Sequence, residues 1–133
     1  MIRMTKAVYD DIVDHARQDA PVEACGYLGD KEGVISTCYR MKNRDISAEH
    51  FSLDPAEQFS VVRDMRKNGE KPAAVYHSHP VTPARFSEED KRLAIDPGIS
   101  YVIVSLKDDC VKVKSFLIKN SRIEPEEIEV VGI

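Results

Sequence analysis

The hydrophobic pattern of the chain switches repeatedly between the spacing of a helix and that of a strand. From Thr5, a predicted N-cap, apolar residues recur at helical spacing as far as Pro21. Two short β-rich segments follow at 23–28 and 34–39, with a glycine-bounded turn at 29–33 between them. The N-terminal part of the chain is therefore predicted to be an amphipathic helix followed by a β-hairpin.

The same alternation continues to the end of the chain. The further predicted elements are a loop at 41–50, a short strand at 51–53, a helix at 55–69, a buried strand at 73–76, a loop at 77–86, a short helix at 87–95, and a hairpin of strands at 99–106 and 110–118. The tail, 122–133, is predicted to add an edge strand or to pack on the surface. This order predicts one α+β domain, residues 1–133, in which helices flank a mixed or largely antiparallel sheet.

The amino-acid composition and net charge exclude several classes of protein. Apolar residues make up 42% of the 133 residues and charged residues 32%, as in an ordinary folded domain, which excludes a disordered chain. The net charge of −4 and the lack of a Lys/Arg cluster exclude a nucleic-acid-binding face. No apolar run reaches the roughly 18 residues that span a membrane, and the start of the chain lacks a signal-peptide core. We therefore expect a cytoplasmic protein that binds neither nucleic acid nor membrane.

The cysteines and isolated histidines offer little chemistry. Cys25, Cys38 and Cys110 are odd in number and have no CxxC spacing, which argues against a disulfide framework and a thiolate zinc site. They are expected to be small, partly buried side chains, although a modulating thiol at Cys25 stays open. His15 and His50 are expected to be solvated surface residues.

The chemistry is concentrated in His77 and His79, directly after the predicted buried strand, and in Asp90 on the next predicted helix. Two histidines at i and i+2 project to the same side of an extended backbone, so both imidazoles can reach one ion. Catalytic zinc sites use three protein nitrogen or oxygen ligands and leave a fourth position for water. Glu23, an acid at a predicted core position, is the candidate general base, because hydrolysis needs a carboxylate to accept and pass on a proton.

Each of these residues also has a simpler interpretation. Ser87 and Asp90 form a near-ideal capping box and could do no more than start a helix. A His-x-His pair on a surface loop is commonly solvated, and an acid such as Glu23 is common at a strand edge. Their joint occurrence at a strand end, where functional sites are usually built, favours a site.

The five residues Glu23, His77, His79, Ser87 and Asp90 resemble the JAMM (MPN+) signature at all of its positions. The segments 21–29 and 76–80 are also similar to small prokaryotic members of that family, and the similarity extends to about residue 106. The resemblance implies a cytidine-deaminase-like α/β fold and one zinc ion per chain, with His77, His79 and Asp90 as ligands. It makes Glu23 the general base and Ser87 a residue that stabilises the tetrahedral intermediate.

The resemblance also implies a substrate class. Family members hydrolyse peptide or isopeptide bonds after the Gly-Gly tail of ubiquitin-fold proteins, and small prokaryotic members are similar to peptidases that process ubiquitin-like sulfur carriers or remove such modifiers from conjugates. A non-catalytic MPN scaffold that binds partner proteins is the alternative, although scaffolds lack one or more of the ligands that this chain retains. A zinc deaminase is disfavoured, because its H-x-E and P-C-x-x-C motifs are missing. The oligomeric state, including a homodimer, stays open.

Overall fold

The computed structural model describes residues 1–93 and 96–132, so the predicted end of the third helix at residue 95 lies outside the described residues. The described elements are β1 (Ile2–Thr5), α1 (Lys6–Asp19), β2 (Cys25–Lys31), β3 (Val34–Met41), α2 (Pro55–Lys67), β4 (Lys71–His79), α3 (Glu88–Leu93), β5 (Ser100–Ser105), β6 (Lys112–Lys119), β7 (Arg122–Glu126) and β8 (Ile128–Val131). The three helices and most of the strands occur where the sequence predicts them.

The described strands form a single mixed sheet, in the order β7-β6-β5-β4-β2-β3-β1-β8. Strand β4 runs parallel to β5, and β1 runs parallel to both β3 and β8, while the other neighbours are antiparallel. Only Glu127 separates β7 from β8, although they are the two edge strands, so the sheet must curl until its edges approach. The Ile2 amide donates to the Glu127 carbonyl at 2.9 Å where the pairing of β1 with β8 begins. The predicted mixed sheet flanked by helices is confirmed.

Helix α1 packs inside the curl of the sheet. Its N-cap is Thr5, as predicted, and the Thr5 hydroxyl accepts from the Val8 amide at 3.2 Å. Val8, Ile12 and Ala16 recur on one face and lie in the main core with Leu28 and other sheet residues. Each fully buried aliphatic side chain of this kind contributes roughly 1.5–3 kcal/mol, so the core fixes the helix against the sheet.

Helix α2 packs separately, against a smaller cluster that contains Val61, Met65 and Met41. It begins at Pro55 as predicted, after the N-cap Asp54. No helix in the ranges 1–93 and 96–132 is long and apolar enough to cross a bilayer.

Several predicted boundaries are wrong. No local signal predicts β1, a four-residue strand that pairs with β3 and β8. Residues 51–53 form no strand. Strand β4 continues through His79, so the two histidines belong to the strand and not to the following loop. Glu23 lies two residues before β2 and does not open it.

Candidate active site and metal centre

The last residues of β4 bring two imidazoles together. His77 and His79 lie on the same face of the strand, and both are almost fully buried, at 3% and 4% exposure. Their Nε2 atoms are 3.2 Å apart. The alternation of an extended backbone explains this arrangement, because residues i and i+2 share a face. The residue between them, Ser78, points to the opposite side.

Asp90, on the first turn of α3, lies against both imidazoles. Its Oδ1 is 2.9 Å from His77 Nε2, and its Oδ2 is 3.2 Å from His79 Nε2. The predicted capping box is also present, because Ser87 Oγ accepts from the Asp90 amide at 3.0 Å and Asp90 Oδ2 accepts from the Ser87 amide at 2.9 Å. The Asp90 carboxylate therefore takes part in the capping box and contacts both histidines at the same time.

Contacts around the imidazoles fix their orientation. His79 Nδ1 lies 2.8 Å from the Pro83 carbonyl, an acceptor, so Nδ1 carries the proton and Nε2 is left to face Asp90. The ring of Phe51 stacks on His77, with centroids 4.7 Å apart and planes inclined by 23°. A ligating histidine is commonly oriented by a hydrogen bond at its other nitrogen.

The electrostatics of the cluster favour the metal-binding forms of His77 and Asp90, while those at His79 favour its protonated form. Burial lowers the pKa of His77, which keeps that imidazole neutral. Burial alone would raise the pKa of Asp90, but its contacts with His77 and His79 outweigh burial, and the pKa is lowered. Burial also opposes charge on His79, yet Asp90, the Pro83 carbonyl and Glu23 together raise its pKa. An ion that binds here would displace a proton from the pair of His79 and Asp90.

The donor set fits zinc. The ligand atoms of His77, His79 and Asp90 all lie within 4.8 Å of one another. Zinc–nitrogen bonds of about 2.0–2.1 Å at tetrahedral angles put two ligand atoms roughly 3.3–3.4 Å apart, which is close to the 3.2 Å between the two Nε2 atoms. Two imidazoles and one carboxylate are also the kind of set that leaves a fourth position open in catalytic zinc sites.

Glu23 is brought beside this cluster by its neighbours in the chain. The Ala24 amide donates to Ser78 Oγ at 2.8 Å, and the Ser78 amide donates to the Ala24 carbonyl at 2.9 Å. Ser78 lies between the two histidines, so these two bonds hold the segment containing Glu23 alongside them. Glu23 is 3% exposed, and its charge helps to raise the pKa of His79. The carboxylate therefore lies within electrostatic range of the cluster.

Asn43 was not anticipated from the sequence, yet it holds the loop that follows β3 against Glu23. Its side-chain amide donates to the carbonyls of Glu23 and His50, at 3.1 and 3.0 Å. Its Oδ1 accepts from the amides of Asp45 and Ser52. A polar residue in a polar stretch gives no signal of this kind, because the role depends on contacts between distant parts of the chain.

Two clefts meet at the cluster. The apolar cleft has a volume of about 360 Å³ and ends at His77 and Asp90; its walls include Tyr27, Phe51, Leu53, Val75, Phe86 and Ile99. The polar cleft, about 400 Å³, lies on the side of His79 and includes Thr82, Pro83, Arg85 and Ser87. Phe86 lines both and packs on Phe116, with centroids 5.1 Å apart. An extended chain that crosses the cluster would occupy both clefts.

The residues that sequence analysis set aside have other roles. Cys25 is fully buried and pairs in register with His77, and burial raises the pKa of its thiol to about 12.

The expected surface position of His15 is wrong. It is 5% exposed, with Nδ1 2.6 Å from the Tyr76 hydroxyl and Nε2 3.0 Å from Asp19. His15 is three residues after Ile12 and seven after Val8, so it falls on the buried face of α1.

Known proteins resemble the chain over most of its length. Residues 5–119 match the sequence model of a family described as prokaryotic homologs of the JAB domain. The CysO-cysteine peptidase of Mycobacterium tuberculosis is 37% identical over 123 residues, which cover 90% of this chain and 84% of the relative. A desampylase of Haloferax volcanii is 33% identical over 105 residues, covering 72% and 74% of the two chains.

Solved structures agree with these matches. A protein from Desulfitobacterium hafniense, solved in solution, has a TM-score of 0.90 and 47% identity, with 100% of this chain and 94% of that chain covered. A JAB1/MPN domain protein from Archaeoglobus fulgidus has a TM-score of 0.68 and 23% identity, covering 98% and 97% of the two chains. The second likeness concerns the fold, which is the one that the five-residue signature implies.

Proposed function

Because the chain belongs to the family of prokaryotic homologs of the JAB domain, we propose that it is a zinc-dependent peptidase that cuts after the Gly-Gly tail of a ubiquitin-fold protein or its conjugates. The observation that carries this proposal is the buried cluster of His77, His79 and Asp90, with Glu23 beside it. Burying four titratable side chains together costs free energy, and such clusters in clefts are typical of functional sites.

In this proposal the three buried side chains hold one zinc ion through His77 Nε2, His79 Nε2 and a carboxylate oxygen of Asp90. Zinc bound there would supply a Lewis acid that polarises the scissile carbonyl and makes a water molecule acidic enough to attack at neutral pH. The hydrogen bond from His79 Nδ1 to the Pro83 carbonyl and the stacking of Phe51 on His77 keep both rings in place before substrate arrives.

Glu23 is the proposed group that transfers the proton from the attacking water to the leaving amine. Its carboxylate takes the proton of the attacking water and delivers it to the nitrogen of the leaving amine. The hydroxyl of Ser87, at the edge of the polar cleft, donates to the carbonyl oxygen as negative charge develops on it. The backbone bonds between Ala24 and Ser78 hold Glu23 beside the histidines, so little reorganisation is needed during the reaction.

Two relatives support the substrate class. One is a CysO-cysteine peptidase and the other a desampylase, and both names describe enzymes that remove a group. The signature implies a Gly-Gly tail, which suits a narrow site because glycine has no side chain to obstruct the approach of the backbone to the cluster. We therefore propose a ubiquitin-like sulfur carrier with a C-terminal addition as the substrate.

Ser87 has two proposed roles that substitutions can separate. Aspartate caps a helix about as well as serine but, when ionised, donates no hydrogen bond, so Ser87→Asp should retain stability while losing about 10²-fold in turnover, the scale of a lost oxyanion donor. Ser87→Ala should lose the same turnover and also about 1 kcal/mol of unfolding free energy. Urea denaturation and steady-state rates measure the two effects. Normal turnover in Ser87→Asp would leave Ser87 with the capping role alone.

The substrate proposal is tested with a ubiquitin-like sulfur carrier fused to a short C-terminal extension after its Gly-Gly tail. Zinc-loaded protein should release the extension immediately after the second glycine, as seen in the intact masses of the products. A matched fusion with valine in place of that glycine should stay uncut, because a branched side chain obstructs the approach to the cluster. Equal cutting of both fusions would refute the Gly-Gly claim, and cutting of neither would favour the non-catalytic scaffold.

A further inference from the structure

The polar cleft contains a cation that the proposed chemistry does not use. Among the described residues that line the two clefts, Arg85 is the only lysine or arginine. Its side chain is exposed, and its guanidinium makes no ion pair or hydrogen bond with any part of the chain that the structure describes. Glu88, the acid in the same cleft, is 85% exposed and lies 3.2 Å from Lys91. A guanidinium with its donors free is well suited to bind a carboxylate.

The apolar cleft, in contrast, has no lysine or arginine among its described lining residues. Its walls are mainly aromatic and aliphatic, and its charged lining residues, Asp90 and Asp96, are both acids. An anionic end of a substrate would be repelled there and poorly solvated. A chain that crosses the cluster is therefore oriented by charge, with its apolar part in the apolar cleft and an anionic end in the polar cleft.

We propose that Arg85 binds the α-carboxylate of a single amino acid that leaves from the C-terminus of the carrier tail. This inference rests on the proposed function and narrows it, because the leaving group becomes a free amino acid and not the lysine side chain of a conjugate. Hydrolysis breaks the bond between the glycine carbonyl carbon and the amino nitrogen. The hydroxyl of water goes to the carbonyl carbon and its proton to the departing amine.

The position of Arg85 in the chain fits this role. Arg85 lies two residues before Ser87, and its backbone amide donates to the Pro83 carbonyl at 2.9 Å. The same Pro83 carbonyl accepts the hydrogen bond from His79 Nδ1. The backbone that carries the guanidinium is thus tied to the histidine that lines the polar cleft. The tie fixes the backbone of Arg85 relative to the cluster, so the reach of the arginine side chain limits how far from the cluster a carboxylate can be bound, which suits a short leaving group.

The test compares two substrates that differ only in charge. The carrier is prepared with one alanine after Gly-Gly, either as the free acid or as the C-terminal amide. The wild-type protein should cut the acid about 10-fold to 100-fold faster than the amide in kcat/KM, the range expected for a charge-assisted hydrogen bond. In Arg85→Gln the ratio of the two rates should fall to about one. Arg85→Lys, which keeps the charge but loses the planar fork, should keep part of the preference.

The matched control is Arg63→Gln, because Arg63 is exposed on α2 and lines neither cleft. It should show the wild-type ratio. Zinc content and circular dichroism of each variant verify that the fold is intact. Equal cutting of acid and amide by the wild type, or an unchanged ratio in Arg85→Gln, would overturn the inference and leave the proposed function standing. Failure to cut either substrate, or any Gly-Gly fusion, would remove the proposed function and the inference together.

Discussion

Replacing Glu23 with glutamine should abolish most of the turnover while leaving the protein folded and loaded with zinc. The substitution keeps the size of the side chain and its capacity for hydrogen bonds but removes the carboxylate that takes the proton from water. Loss of a general base typically costs 10²- to 10⁴-fold in rate, so we expect at least a 10²-fold fall in kcat. Metal analysis of the same sample should show an unchanged zinc content.

The control for this result is Glu49→Gln, which removes an acid from the loop near the site, where the side chain is exposed. Its rate should stay within a factor of about two of the wild type, since exposed substitutions of this kind change the folding free energy by less than about 0.5 kcal/mol. If Glu23→Gln instead loses its zinc or unfolds, Glu23 is a ligand or a structural acid, and the proposed proton transfer is wrong.

Replacing Asp90 with asparagine should remove both the metal and the activity. Asparagine retains an oxygen to accept from the Ser87 amide, so the capping box survives in part. The two buried imidazoles lose their anionic partner and the ion loses a charged ligand. Mutations of the outer partners of zinc ligands already cost about 10- to 100-fold in affinity, so loss of the ligand itself should cost more than about 10²-fold.

The matched control is Glu88→Gln, which removes the same charge from the same helix at a side chain that is 85% exposed. Competition with a chelator measures the zinc affinity of both variants. Tight zinc binding by Asp90→Asn would show that Asp90 is not a ligand, and it would confine the metal to the two histidines and an unidentified third group.

The candidate site was predictable from sequence to an unusual degree, because its residues carry local signals. The i, i+2 spacing of His77 and His79 depends only on extended backbone, and Ser87 and Asp90 follow the capping-box pattern that the structure contains. The approach of Asp90 to both imidazoles confirms the predicted grouping of the three side chains. That they bind zinc stays a prediction.

The features that were missed depend on contacts between distant parts of the chain. Strand β1 has only four residues, and its partners β3 and β8 begin about 30 and 125 residues later in the chain. The sequence predicts a strand at 51–53, but the stacking of Phe51 on His77 needs the loop after β3 to fold back. Asn43 organises that loop through four hydrogen bonds, and none of them can be predicted from the neighbouring sequence.

The surface position predicted for His15 is wrong for a different reason. The sequence prediction puts His15 on the polar side of α1, but its spacing of three residues from Ile12 and seven from Val8 puts it on the buried face. In the structure the Tyr76 hydroxyl and Asp19 satisfy both ring nitrogens, and burial lowers the pKa of His15. A buried polar residue is tolerated when it has such partners.

The central claim is that one zinc ion, held by His77, His79 and Asp90, makes this chain a peptidase. The most direct test is to strip the protein with a chelator, add zinc in steps, and follow release of the extension from the Gly-Gly fusion. The rate should be negligible without metal, rise in proportion to added zinc, and stop rising at about one ion per chain. Cutting of the fusion at the full rate by the zinc-free protein would contradict the claim.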